Sequence, residues 1–167
     1  MLFTEKRLYF INNMNASIKI FTDGGCSGNP GPGGWAYVIV SETFQGPVIL
    51  AEKYGSEKET TNNRMELRAV IESLRVITLM ENVSKNAVIY TDSQYVQKGI
   101  TEWILKWKKN AWRTSDKKPV KNQDLWVELD TLSAGLLLKW EWIRGHSGNE
   151  FNERCDRMTQ EAIWGKE

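Results

Sequence analysis

Two cysteines and one histidine are all that 167 residues contain. So few exclude a disulfide framework and any zinc cluster built from thiolates and imidazoles. Cys26 and Cys155 are therefore expected as free thiols in a reducing compartment. No apolar run approaches the roughly 20 residues needed to span a bilayer, and a membrane span is excluded. Residues 1–11 lack the long apolar core and small-residue cleavage site of a signal peptide, so the expected compartment is the cytoplasm. There is no internal repeat and no low-complexity tract. Net charge is nearly absent too, at +1.

What is present is ordinary for a globular chain: 41% hydrophobic and 26% charged residues, enough to bury one core. Residues 1–15 read as an N-terminal extension and 16–167 as a single domain. The charge is unevenly placed. Residues 98–121 hold eight basic side chains against Glu102 and Asp116, a local charge of +6, while the remainder carries 14 basic and 19 acidic residues, or −5. One basic protrusion on a neutral protein is enough to hold a polyanion.

The periodicity predicts an α/β fold. Residues 18–22 alternate apolar and polar and stop at Asp23-Gly-Gly, a strand running into a turn. Residues 24–34 hold six glycines and two prolines and read as too broken for regular structure. Strands at 35–40 and 48–53 complete an antiparallel meander. A helix then opens near Thr61-Asn62, its apolar face marked by Leu67, Val70, Ile71, Leu74 and Ile77. A fourth strand, 87–90, ends in Thr91-Asp92 and is expected parallel to the first. Short helices are expected at 93–99, 101–111 and 123–133, a fifth strand at 138–143 and a final helix at 149–164.

Four carboxylates stand where these elements would aim them at one spot: Asp23 and Asp92 at strand ends, Glu66 beside an apolar helix face and Asp156 in the final helix. Each has an ordinary reading. Asp23 suits a turn, Asp92 an N-cap and Asp156 a solvated ion pair with Arg154 or Arg157. Glu66, bordering the buried face, is the hardest to explain that way. Acids gathered together repel unless a cation sits among them. Two divalent ions about 4 Å apart can clamp the attacking water and leaving oxygen of a phosphodiester. All-oxygen ligands suit Mg²⁺, with Mn²⁺ able to substitute.

His146 lies in Arg144-Gly-His-Ser-Gly148, ten residues before Asp156. It reads either as an idle surface side chain or as a carrier of protons near neutral pH. Trp103, Lys106, Trp107, Lys108, Lys109 and Trp112 interleave indoles with ammonium groups. That pattern suits a nucleic-acid backbone, and it equally suits a solvated helix anchored to the core by some of its tryptophans.

These segments resemble ribonuclease H type 1, particularly the bacterial form. The likeness is carried by Thr22-Asp-Gly-Gly-Cys-Ser-Gly-Asn-Pro-Gly-Pro-Gly-Gly34, Thr60-Thr-Asn-Asn-Arg-Met-Glu-Leu67 and Thr91-Asp-Ser-Gln-Tyr-Val-Gln-Lys-Gly-Ile-Thr101. It continues through Trp107-Lys-Lys, Asp116-Lys-Lys-Pro-Val-Lys-Asn122, Lys139-Trp-Glu-Trp and Gly145-His to Asn152-Glu-Arg-Cys-Asp156. The resemblance implies a ribonuclease H-like fold, a mixed five-stranded sheet flanked by helices. It implies metal-dependent endonucleolytic hydrolysis of the RNA strand of RNA–DNA hybrids, leaving 5′-phosphate and 3′-hydroxyl ends. By the same likeness Asp23, Glu66, Asp92 and Asp156 hold two Mg²⁺ ions, Asp92 positions the attacking water and His146 assists turnover. Asn29, Asn62 and Gln94 contact the hybrid near its minor groove, Thr61 grips a DNA phosphate, and Trp103, Trp107 and Trp126 line the DNA-side channel. Lys106, Lys108 and Lys109 belong to the matching basic protrusion. The expected partner is the hybrid and the expected state a monomer.

The chain departs from the pattern in three places. Glu59 stands where bacterial relatives often carry a basic residue, Gly25 replaces a common serine, and residues 1–13 have no counterpart in the short bacterial form. Two other readings compete: a resolvase- or integrase-like nuclease of the same fold acting on DNA, and a non-catalytic hybrid-binding module. The Asn- and Gln-bearing motifs speak against the first, since 2′-hydroxyls are what distinguish RNA. The presence of all four acids speaks against the second.

Overall fold

The computed structural model describes residues 16–165; the extension expected at 1–15 lies outside the described residues. One sheet holds β1 (Ile18–Cys26), β2 (Gly31–Thr43), β3 (Gly46–Thr60), β4 (Asn86–Thr91) and β5 (Leu137–Trp142) in the order β3-β2-β1-β4-β5. β1, β2 and β3 form the antiparallel meander, while β4 runs parallel to β1 and β5 parallel to β4. The mixed five-stranded sheet flanked by helices is thus the observed architecture. α1 (Asn62–Leu79) joins β3 to β4. Between β4 and β5 come α2 (Gln94–Lys98), a π-helical turn (Gly99–Trp103), α3 (Ile104–Lys109) and α4 (Gln123–Ser133); α5 (Glu150–Trp164) ends the fold. None of the described helices is long and apolar enough to cross a membrane.

Both faces of the sheet are covered, so its central strands are apolar on both sides. Ile20, Ile39 and Ile89 join Leu67, Ile71 and Leu74 of α1 in the larger core, which extends to Trp126 and Leu129 of α4. On the other face Phe21, Ala36, Val38 and Val40 pack beneath Cys155 of α5. Phe21 stacks on Tyr90 with ring centroids 4.9 Å apart. α1 opens on Thr61, whose hydroxyl accepts from Arg64 N–H at 3.4 Å. At the far end the Lys85 ammonium donates to the carbonyls of Ile77, Thr78 and Met80, satisfying groups that a helix end leaves bare.

The expectation for the glycine-rich stretch fails. Residues 24–34 are not a broken loop, because β1 continues to Cys26, β2 begins at Gly31 and the ladder pairs Gly25 with Gly34 and Cys26 with Gly33. The glycines answer to tertiary contact. An ideal Cβ at Gly24 would lie 2.3 Å from the backbone of Met65 and Glu66, so only glycine lets α1 settle this close to β1.

Both cysteines are free thiols. Cys26 is partly exposed and faces the carbonyls of Gly31 and Thr60. Cys155 is buried and its thiol donates to the Phe21 carbonyl at 3.4 Å. Burial pushes that thiol well above the ordinary cysteine range.

Candidate active site and nucleic-acid interface

Thr22 of β1 and Thr91 of β4 are register partners in parallel strands. The residue after each is a carboxylate, so Asp23 and Asp92 meet at the carboxyl ends of adjacent strands, the position where open α/β sheets place ligands. The close approach at Gly24 brings Glu66 down onto them. Carboxylate oxygens of Asp23, Glu66 and Asp92 all lie within 4.8 Å of one another.

This arrangement is costly. Asp23 is 8% exposed and Glu66 6%. Desolvation is the largest influence on Asp23; it outweighs the Thr159 hydroxyl and, with repulsion from Asp92 and Asp156, pushes the carboxyl up to about 6. Glu66 is driven well above the ordinary glutamate range by burial first, then by Asp23 and Asp92. Asp92 is raised by burial and by Asp156, and lowered by His146. Oε2 of Glu66 is buried with no hydrogen-bond partner among the described residues, an exception that needs a reason in a folded protein. The donor set is three converging carboxylates with no thiolate or imidazole among them. It fits a hard divalent cation, which would satisfy the orphaned oxygen and remove the repulsion.

Asp156 stands apart from the tight cluster. It lines, with Asp23, Asn62 and Ser27, a cleft of about 260 Å³ beside the three acids. His146 is exposed in the β5–α5 loop and left-handed, with φ 53°. That loop is pressed against the cluster through its neighbour. An ideal Cβ on Gly145 would fall 2.9 Å from Oδ2 of Asp92. The Trp142 indole N–H donates to the Asp92 carbonyl at 3.0 Å.

The residues expected to touch a hybrid divide. Asn29 and Asn62 come together at the start of α1, where Oδ1 of Asn29 accepts from the Asn62 N–H at 3.2 Å beside the capping Thr61. Gln94 is the exposed first residue of α2. Trp103 and Trp107 are half-buried and pack with rings tilted by 49° and centroids 5.7 Å apart. Trp126 is a correction: it is 0% exposed and cannot line a channel. Its indole N–H donates to the Tyr95 hydroxyl at 3.0 Å and its ring supports Trp107 at 5.3 Å. Residue type and spacing do not separate an indole at the surface from one beneath it; α4 turns Trp126 inward beside Leu125 and Leu129.

All eight basic side chains of residues 98–121 are exposed. The tip folds back on itself through Thr114 N–H to Lys118 carbonyl and Val120 N–H to Trp112 carbonyl, and Val120 plugs its base into the core. Lys106, Lys108 and Lys109 all stand on α3, and Lys108 pairs with Asp130 at 2.9 Å.

Nothing in the sequence assigns Gly145 or Trp142 a contact with Asp92, or gives Thr159 and the last turn of α5 a place at the site. The spacing holds one signal: Asp156, Gln160 and Trp164 recur every four residues and share a helix face.

Comparison with known proteins agrees in extent. A family model for RNase H matches residues 15–164. A ribonuclease H from Treponema denticola is 51% identical over 156 residues, covering 87% of this chain and 96% of that one. A ribonuclease H from Wolbachia pipientis wMel is 49% identical over 146 residues, covering 87% and 94%. Among solved structures, LC9-RNase H1, a type 1 RNase H with the type 2 active-site motif, superimposes with a TM-score of 0.79 at 31% identity, over 91% of this chain and 74% of that one. LC11-RNase H1, solved in complex with an RNA/DNA hybrid, gives 0.64 at 25% identity, over 87% and 96%.

Proposed function

The chain belongs to the ribonuclease H family, and we propose that it hydrolyses the RNA strand of RNA–DNA hybrids at the carboxylate cluster described above. The observation that carries this reading is the convergence of Asp23, Glu66 and Asp92 with an orphaned Glu66 oxygen among them. These three, with Asp156 at the cleft's edge, would hold two Mg²⁺ ions, or Mn²⁺ in their place. Bound there, the ions supply Lewis acidity and charge neutralisation at the scissile phosphodiester.

The chain's own groups do the rest. Asp92, held through its carbonyl by Trp142, orients the attacking water. Attack at phosphorus breaks the bond to the 3′ oxygen, leaving a 5′-phosphate on one fragment and a 3′-hydroxyl on the other. His146, close enough to Asp92 to influence its charge, passes protons between the site and solvent. Asn29, Asn62 and Gln94 offer short amide groups to 2′-hydroxyls, the feature that separates the RNA strand from the DNA strand. Thr61 takes a DNA phosphate, Trp103 and Trp107 lie along the DNA strand, and Lys106 and Lys109, with Lys108 in part, hold it by charge. One copy of the chain carries every one of these groups, and the protein acts as a monomer in the cytoplasm.

Cleavage of an end-labelled RNA strand annealed to DNA, with Mg²⁺ and with chelator, tests the reading. Duplex RNA and duplex DNA run alongside. Cutting of the hybrid alone, and only with metal, is expected. Cutting of duplex DNA would move the protein to a resolvase-like activity, and tight hybrid binding without cutting would make it a binding module.

A further inference from the structure

The end of α5 carries a feature that the acids do not use. Trp164 is 69% exposed, yet it lines the same cleft as Asp23 and Asp156. Its indole N–H donates to Oε1 of Gln160 at 3.2 Å, which fixes the ring's orientation from the preceding turn. The base of this platform is rigid. A Cβ on Gly34 of β2 would sit 2.8 Å from the Ala162 side chain and from the Thr159 carbonyl, so the last turn of α5 lies directly on the sheet. An indole held out over a cleft, rather than folded into a core, calls for a ligand with a flat apolar face.

The charge around it narrows the ligand further. Among the described residues that line this cleft there is no lysine or arginine, so no described side chain there pairs with a phosphate. What it offers is an aromatic face and an amide, the surface on which single bases stack with little regard to sequence. The carboxylates beside it mark where the scissile phosphate lies, and the strand in their reach is the one that is cut.

We infer that Trp164, oriented by Gln160, stacks against a nucleotide of the RNA strand next to the scissile phosphate and contributes to substrate affinity. This rests on the ribonuclease H reading and adds a contact to it. Gln160 is a positioning residue, acting through the indole.

The test is steady-state cleavage by W164A, W164F and W164L on hybrids whose RNA strand is shortened one nucleotide at a time toward a single cleavage position. W164A is expected to raise KM about tenfold with kcat within about twofold, the size of one lost base–aromatic stack. W164F, which keeps a ring, stays within about twofold of the parent. In the parent, KM steps up when the stacked nucleotide is removed; in W164A that step is gone. W164L keeps apolar bulk without a ring, covers the case in which alanine perturbs folding, and is expected to match W164A. Parent-like KM in W164A or W164L overturns the inference, as does a KM increase equal at every RNA length, which would mark a structural role. Failure of the unaltered protein to cut the full-length hybrid would instead overturn the ribonuclease reading itself.

Discussion

The cleft and the basic protrusion handle charge in opposite ways. In the cleft, Asp23 and Glu66 are buried on rigid elements and held together against their own repulsion. Along the protrusion, eight exposed cations run from the end of α2 through α3 to the folded-back tip, far from any comparable cost. Burial makes the cleft's charges strong and geometrically exacting; exposure makes the protrusion's charges weak singly and sensitive to salt. A catalytic centre needs the first and a grip that must release its polymer needs the second.

The largest expected effect breaks the cleft. Asp92→Asn or Asp23→Asn lowers hybrid cleavage on the order of a thousandfold, the loss of several kcal/mol of transition-state stabilisation, as read from single-turnover assays. Asp23→Asn also separates function from stability. The Asp23 carboxyl sits at about 6 when folded and near 3.9 in an unfolded chain, so the folded state binds the proton more tightly. Its penalty to the fold is absent below the unfolded value, grows as pH rises through about 6, and is full above that. In chelator at pH 8 the asparagine variant is therefore more stable than the parent by about 3 kcal/mol. Chemical denaturation at pH 8 and pH 4 checks this; a gain that persists at pH 4 would show that charge is not its source.

Gly145→Ala comes next. The added methyl meets Oδ2 of Asp92, and displacement of that carboxylate lowers kcat by about tenfold to a hundredfold while the melting temperature holds. Unchanged kcat would show that the β5–α5 loop yields more easily than its packing indicates.

The protrusion responds more gently. Replacing Lys106, Lys108 and Lys109 by glutamine weakens hybrid binding. The slope of log affinity against log salt falls by about 0.7 to 0.9 for each phosphate that is no longer neutralised. Lys108→Gln alone changes least, because Asp130 already engages that ammonium. An unaltered salt slope in the triple variant would remove the protrusion from the grip. Smallest of all in binding is Trp126→Phe, which trims a buried ring and shifts the melting temperature without moving KM. A KM change larger than that of Trp103→Phe would return Trp126 to the channel.

Much of the cleft is legible in the sequence. Alternation ending at Asp23 and at Asp92 marks strand ends, and a glutamate bordering an apolar helix stripe marks an acid aimed at the sheet. Three of the four acids converge as those patterns imply. The glycine-rich stretch misleads because strand preference is set by neighbours as much as by residue type; there the approach of α1 decides. Trp126 misleads for a related reason, since a family likeness passes on a role without saying which indole of a cluster lies beneath the others. The approach of Gly145 to Asp92 joins residues 53 positions apart on a left-handed loop, which no local periodicity encodes.

The thiol behind the cleft has a practical consequence. Cys155 is covered by the sheet and donates to the Phe21 carbonyl, whereas Cys26 is partly open at the cleft wall. A thiol-specific reagent will therefore label the native protein once, quickly, and a second time only when α5 lifts away. The slow second labelling is a stopwatch for that opening, built into the unaltered chain, and its retardation by bound hybrid would measure how firmly substrate clamps the last helix to the sheet.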